Sequence, residues 1–169
     1  MSQTAASPSL PTIAFIGGGN MASAIIGGLI HQGLPASQIE VVEPWAEARE
    51  ALRKNYGIEA QAEAGPALQR AGIVVWAVKP QTFKDAAAQA KAHTQAALHL
   101  SVAAGIRSDS IAQWLGSERV VRTIPNTPAL VGKGMSALYA RPAVTAAERQ
   151  SVEAIMASTG EFLWVESEK

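Results

Sequence analysis

The stretch IAFIGGGNMASAIIGGLI, Ile13 to Ile30, is apolar or glycine at every position except Asn20 and Ser23, and it holds three consecutive glycines, Gly17 to Gly19. A membrane span needs roughly 20 apolar residues in one continuous helix. A triple glycine near the start breaks such a helix, since each glycine costs about 1 kcal/mol relative to alanine. The preceding MSQTAASPSLP has no positive charge, so it is no secretory signal either. The stretch reads instead as strand, turn and helix: Ile13–Ile16 extended, the glycines turning, and a helix from Asn20.

Outward from it, short apolar runs alternate with longer helical patterns. The runs are TIAFIG (12–17), QIEVVE (38–43), AGIVVWAV (71–78), ALHLSVAA (97–104) and RVVRTI (119–124). They are β-branched and lack strict alternation, as parallel strands covered on both faces do. Between them, 20–33, 45–55, 62–71, 80–94 and 108–115 read as helices. Pro80 suits a first helical position, and Ser108 an N-cap. Tyr56-Gly57 reads as a helix stop, followed by a short strand at 58–60. After the loop PNTPALVGKG (125–134) come a strand near 135–140, a helix over 145–158 and a strand EFLWV (161–165). This order predicts an α/β fold, a Rossmann-like doubly wound sheet, mostly parallel, with extra C-terminal strands. Residues 1–11 read as a disordered tail.

In that setting the glycines have a chemical reason. Gly17, Gly19 and Ala22 form G-x-G-x-x-A between a strand and a helix. Gly17 permits the tight turn, Gly19 leaves room for a pyrophosphate, and Ala22 keeps helix and strand close. Free N–H groups at the helix start would hold the phosphates. The competing reading is a glycine turn without a ligand. Glu43 ends the next strand, where an acid bonds the adenine ribose hydroxyls. A carboxylate there favours NAD. A 2′-phosphate about 5 Å away would be opposed by roughly 1–3 kcal/mol per charge pair. Two alternatives stay open: Glu43 as an ordinary solvated charge, and Arg49 or Arg53 on the following helix reaching a phosphate.

Composition narrows the classes. Fourteen basic and 14 acidic residues leave a formal charge of zero, which offers nucleic acid no bulk attraction. Only 17% of residues are charged and 48% are apolar, enough for a well-buried core. With no cysteine, disulfides, thiolate metal sites and cysteine nucleophiles are excluded. That is compatible with a cytoplasmic location. His31, His93 and His99 have no metal or triad spacing, and no metal site is expected. Trp76 and Met21 read as core.

GGGNMASAIIGGL, AVKPQ, SVAAGI and RTIPNTPALVGKG, each after a predicted strand, together resemble the pyrroline-5-carboxylate reductase family. The resemblance spans about 12–165 and implies an NAD(P)-binding Rossmann-like domain there. It further implies that 166–169 begin an all-helical domain, through which the family forms homo-oligomers and which this chain lacks. By resemblance, Gly17, Gly18, Gly19, Asn20, Met21 and Ala22 cradle the pyrophosphate. Val78, Lys79 and Pro80 border the cofactor. Ala103, Ala104 and Gly105 shape the nicotinamide side, and Pro125, Asn126 and Thr127 form the loop nearest the substrate. Each has a plainer reading: Lys79 solvated, Pro80 a helix start, the small residues close packing, Asn126 a turn former.

The implied reaction is hydride transfer from NADPH or NADH to the C=N bond of 1-pyrroline-5-carboxylate, a small-molecule substrate, giving L-proline in the last step of its biosynthesis. No residue reads as a catalytic acid or base. The alternatives are a nucleotide-binding regulatory module without turnover, and another imine or β-hydroxyacid reductase.

Overall fold

A computed structural model describes residues 11–103, 106–124, 136–157 and 162–165. Seven strands form one sheet in the order β2-β1-β3-β4-β5-β6-β7. They are β1 (Thr12–Ile16), β2 (Ile39–Val42), β3 (Ala71–Trp76), β4 (Leu98–Ser101), β5 (Val120–Ile124), β6 (Ser136–Ala140) and β7 (Phe162–Trp164). All neighbours run parallel except β5 and β6. The helices are α1 (Asn20–His31), α2 (Ala46–Tyr56), α3 (Pro80–Ala90), α4 (Ser108–Leu115) and α5 (Ala146–Ala157).

Two apolar clusters lie on the two faces, as the near-continuous apolar strands require. One gathers Ile13, Phe15, Val41, Ile73 and Val75 with Ile25, Ile26 and Leu29 of α1 and Val152 and Ile155 of α5. The other gathers Ala14, Val74 and Trp76 with Phe83 of α3 and Ile111 and Leu115 of α4. Trp76 is fully buried. It stacks on Phe83 at 4.8 Å between ring centroids, and Phe83 in turn meets Trp114 at 5.8 Å. The chain from β1 to β2 turns to one side and β3 lies on the other, so the order reverses beside β1, where open α/β sheets bind ligands.

Local chemistry explains the helix ends. Gly57 and Gly116 stop α2 and α4 in the left-handed conformation, with φ of 71° and 67°. Pro80 is at the first turn of α3. Thr145 and Glu148 form a reciprocal capping box on α5: the Glu148 N–H donates to Thr145 Oγ1, and the Thr145 N–H to Glu148 Oε1.

Four expectations are corrected. No strand covers 58–60; a single parallel bridge, Val42 to Gln61, takes its place. The helix expected over 62–71 is a 3-10 turn, Pro66–Arg70, because Gly65-Pro66 delays its start and β3 begins at Ala71. Ser108 is the first residue of α4 and not its cap; that position is Arg107. Ser108 is fully buried, and its Oγ accepts from Arg141. Met21 is 55% exposed and not core, since the face of α1 that meets the sheet is carried by Ala22, Ile25, Ile26 and Leu29.

Candidate dinucleotide site

The turn after β1 is built by close backbone approaches. Gly17 has φ of +101° and donates its N–H to the Val42 carbonyl at 2.8 Å. A Cβ there would lie 2.4 Å from the Ala77 carbonyl oxygen. Gly18 is closed on its other side: a Cβ would come within 2.9 Å of Leu52 Cδ1 and 3.2 Å of Glu43 Cβ. At Gly19 a Cβ would meet nothing within 4 Å. Gly19 is also the N-cap of α1 and brings no capping side chain to the first N–H groups. The empty space that a side chain there would fill is where the pyrophosphate reading needs it, so the residues fit a dinucleotide.

That space belongs to a cavity of about 440 Å³ lined by residues from the ends of β1, β2 and β3, within the range of small-molecule sites. Ile16, Gly17, Gly19, Val42, Glu43, Ala77, Val78 and Lys79 line it, and the structure thus brings together Gly17, Gly19, Glu43, Val78 and Lys79. The other predicted site residues stand around it. Gly18 packs behind the turn, Ala22 is fully buried against the sheet, and Pro80 starts α3. Asn20 opens α1. Ala103 is buried just beyond β4, its N–H donating to Ser101 Oγ at 3.2 Å. Met21 is on the exposed side of α1. Ala104, Gly105, Pro125, Asn126 and Thr127 lie outside the described residues.

Sequence reasoning missed the far wall. Thr82, Asp85, Ala86 and Gln89 of α3 face the cavity, with Ala62, Ala64 and Pro44. Positions 82, 85, 86 and 89 share one helical face by their three- and four-residue spacing, which marks a common wall once α3 is known to start at the strand tip. Beside Pro44, Trp45 is 63% exposed.

Glu43 is held on both oxygens. Oε1 accepts from the Gly18 N–H at 2.7 Å, and Oε2 from the Trp45 N–H at 2.8 Å. Arg49 Nη1 donates to the carbonyls of Glu43 and Pro44 at 2.9 and 2.8 Å. Arg53 pairs with Glu50. Glu43 is therefore not a freely solvated charge.

A family described as NADP oxidoreductase coenzyme F420-dependent matches residues 12–105, more than half of the chain. The chain belongs to that family. This NADP oxidoreductase family member is 43% identical to pyrroline-5-carboxylate reductase of Pseudomonas aeruginosa, over 95% of this chain and 59% of that protein. It is 37% identical to the enzyme of the same name from Vibrio alginolyticus, over 92% of this chain and 58% of the other. Among solved structures, a pyrroline-5-carboxylate reductase from Coxiella burnetii matches with a TM-score of 0.84 and 33% identity, over 95% of this chain and 60% of that one. The Plasmodium falciparum pyrroline carboxylate reductase with NADP bound shares the fold, with a TM-score of 0.75 at 23% identity over 92% of this chain and 58% of that one. The chain thus spans about three fifths of the length of these relatives. Among the described residues no helix is long and apolar enough to cross a membrane.

Proposed function

We propose that the chain binds a nicotinamide dinucleotide, NADP(H) or NAD(H), in the cavity at the ends of β1, β2 and β3, with the pyrophosphate over Gly17–Gly19 and the start of α1. The observation that carries this is Gly19: it caps α1, lines the cavity and faces open space, directly after two glycines whose side-chain positions are blocked by the protein itself. Residues 12–165 form the cofactor-binding unit. The reaction proposed for the protein at its relatives' length is reduction of the C=N bond of 1-pyrroline-5-carboxylate to L-proline. The 43% identity to a pyrroline-5-carboxylate reductase supports it.

The bound dinucleotide supplies the hydride. The chain's residues position it. Gly17 makes the turn, Gly19 admits the phosphates, and Ala22 holds α1 against the sheet. Val78 contributes an apolar wall, and Lys79 a cation at the tip of β3. Ala103–Gly105 and Pro125–Thr127 are proposed for the nicotinamide and substrate side. A cyclic imine can take a proton from water near neutral pH, so a strong protein acid is not obligatory, and orientation with exclusion of water is the main contribution.

Calorimetry of the wild type and Gly19→Val with NADH and NADPH tests the placement. The valine should lower affinity for both at least tenfold with an unchanged circular dichroism spectrum. Equal affinities would refute it.

A further inference from the structure

We infer that Asp85, with Gln89 beside it on α3, reads the base of the dinucleotide and selects adenine over hypoxanthine. The inference rests on the dinucleotide reading above and adds to it which nucleobase the site takes.

The cavity opens on the α3 side of the sheet: Ile16 and Val42 line it and belong to the same apolar cluster as Phe83 of α3. One side wall is the segment after α2, with Ala62 and Ala64, and the other is α3, with Ala86. These three residues bring only methyl groups, so a flat ring has room between the walls. With the pyrophosphate over the glycine turn and its ribose at the tip of β2, the base beyond that ribose falls in this slot.

The polar groups on the α3 wall are not equivalent. Thr82 is nearest the tip of β3, and its hydroxyl donates to the Lys79 carbonyl at 2.9 Å. Asp85 and Gln89 line the cavity further along the helix, about 4.5 and 10 Å beyond Thr82 along the axis. Among the described residues, neither side chain makes a hydrogen bond or an ion pair. An ionised carboxylate accepts and cannot donate, so in a cavity for a polyanion it is favourable only opposite a donor. Adenine offers one, its 6-amino group, beside an accepting ring nitrogen. Asp85 can accept from the amine. The Gln89 amide, one turn on and on the same face, can donate to the ring nitrogen. Hypoxanthine has a carbonyl oxygen in place of the amine and would turn an acceptor toward the carboxylate.

The experiment measures dissociation constants of NADH and NADPH, each beside its hypoxanthine analogue, for residues 1–169 as wild type, Asp85→Asn and Asp85→Ala. Within each pair only the base differs, so the comparison does not depend on the 2′-phosphate. Wild type should bind the adenine member at least fivefold more tightly. Asparagine, whose amide can donate to the hypoxanthine oxygen, should bring the two members within about twofold, chiefly by tighter binding of the analogue. Alanine should narrow the ratio by weakening the adenine member. Both variants replace an exposed side chain and should keep the circular dichroism spectrum. An acid that only meets solvent or balances Lys79 would shift all four ligands alike and leave the ratio unchanged; that outcome overturns the inference, as does equal binding of the two bases by the wild type. Failure of the wild type to bind any of the four would instead overturn the dinucleotide reading itself, and this inference with it.

Discussion

Three adjacent glycines do three different things. At Gly17 a methyl group would strike the Ala77 carbonyl, and the φ of +101° disfavours any L side chain. Gly17→Ala is therefore expected to destabilise the fold by about 2–4 kcal/mol, measured as a fall in the urea midpoint. Gly19→Val, by contrast, should leave that midpoint nearly unchanged, because its side chain would enter open space. His99 makes a second residue-scale prediction. It is buried, and its Nδ1 accepts from Trp76 Nε1 at 3.0 Å. Burial first and the Arg119 charge second lower its pKa to about 4, against a hydrogen bond with the Thr94 backbone. The neutral form is thus the folded one, and the unfolded chain takes up the proton first on acidification. The resulting stability is full above pH 6.5 and is lost as pH falls toward 4, by up to about 3 kcal/mol. His99→Asn, which keeps an acceptor for Trp76, should flatten the dependence of unfolding free energy on pH across that window.

At the scale of elements, α5 depends on its first turn. Thr145 and Glu148 satisfy each other's backbone N–H groups, and Glu148 also pairs with Arg119, the residue before β5. Burial opposes ionisation of Glu148, but the bonds from Arg119 and Thr145 outweigh it and keep its pKa below the usual carboxylate value. Thr145→Ala should cost about 1 kcal/mol, visible as a lower melting temperature without loss of dinucleotide affinity. The stretch 62–71 departs from its helical pattern for a local reason. Its Ala, Leu and Gln content suits a helix, but Gly65 adopts an extended conformation before Pro66, and β3 claims Ala71, leaving room for one tight turn. The Gly-Pro pair was a visible signal. The pairing of Gln61 with β2 was not, since it depends on where the chain returns after α2.

For the whole molecule, the 169 residues match 59% of the Pseudomonas relative, and two fifths of that relative has no counterpart in them. Binding energy speeds a reaction only when both reactants are held in contact orientation, which accounts for roughly 7–11 kcal/mol of barrier. Residues 1–169 are therefore expected to bind dinucleotide yet oxidise no measurable NADH when given pyrroline-5-carboxylate, followed at 340 nm at roughly millimolar substrate. Turnover at a rate typical of enzymes, about 10 per second, would show that these residues suffice to hold both reactants.

The sequence by itself determined the alternation of strands and helices, the turn at Gly17, the Pro80 start of α3, the Gly57 stop of α2 and the burial of Trp76. Each follows from rules acting within a few residues: φ freedom, the missing proline N–H, and runs of apolar side chains. Only the tertiary structure decided the rest. That Gly18 must lack a side chain follows from Leu52 and Glu43 packing against it. That Glu43 is braced and not merely solvated follows from bonds spanning 25 residues. Met21 faces solvent because four neighbouring apolar residues already cover the sheet-facing side of α1. The wall of Thr82, Asp85 and Gln89 exists because α3 is rotated to bury Phe83 and Ala87, which turns an adjoining face toward the cavity. Such contacts join distant parts of the chain, and no local pattern encodes which of several apolar or charged partners will meet.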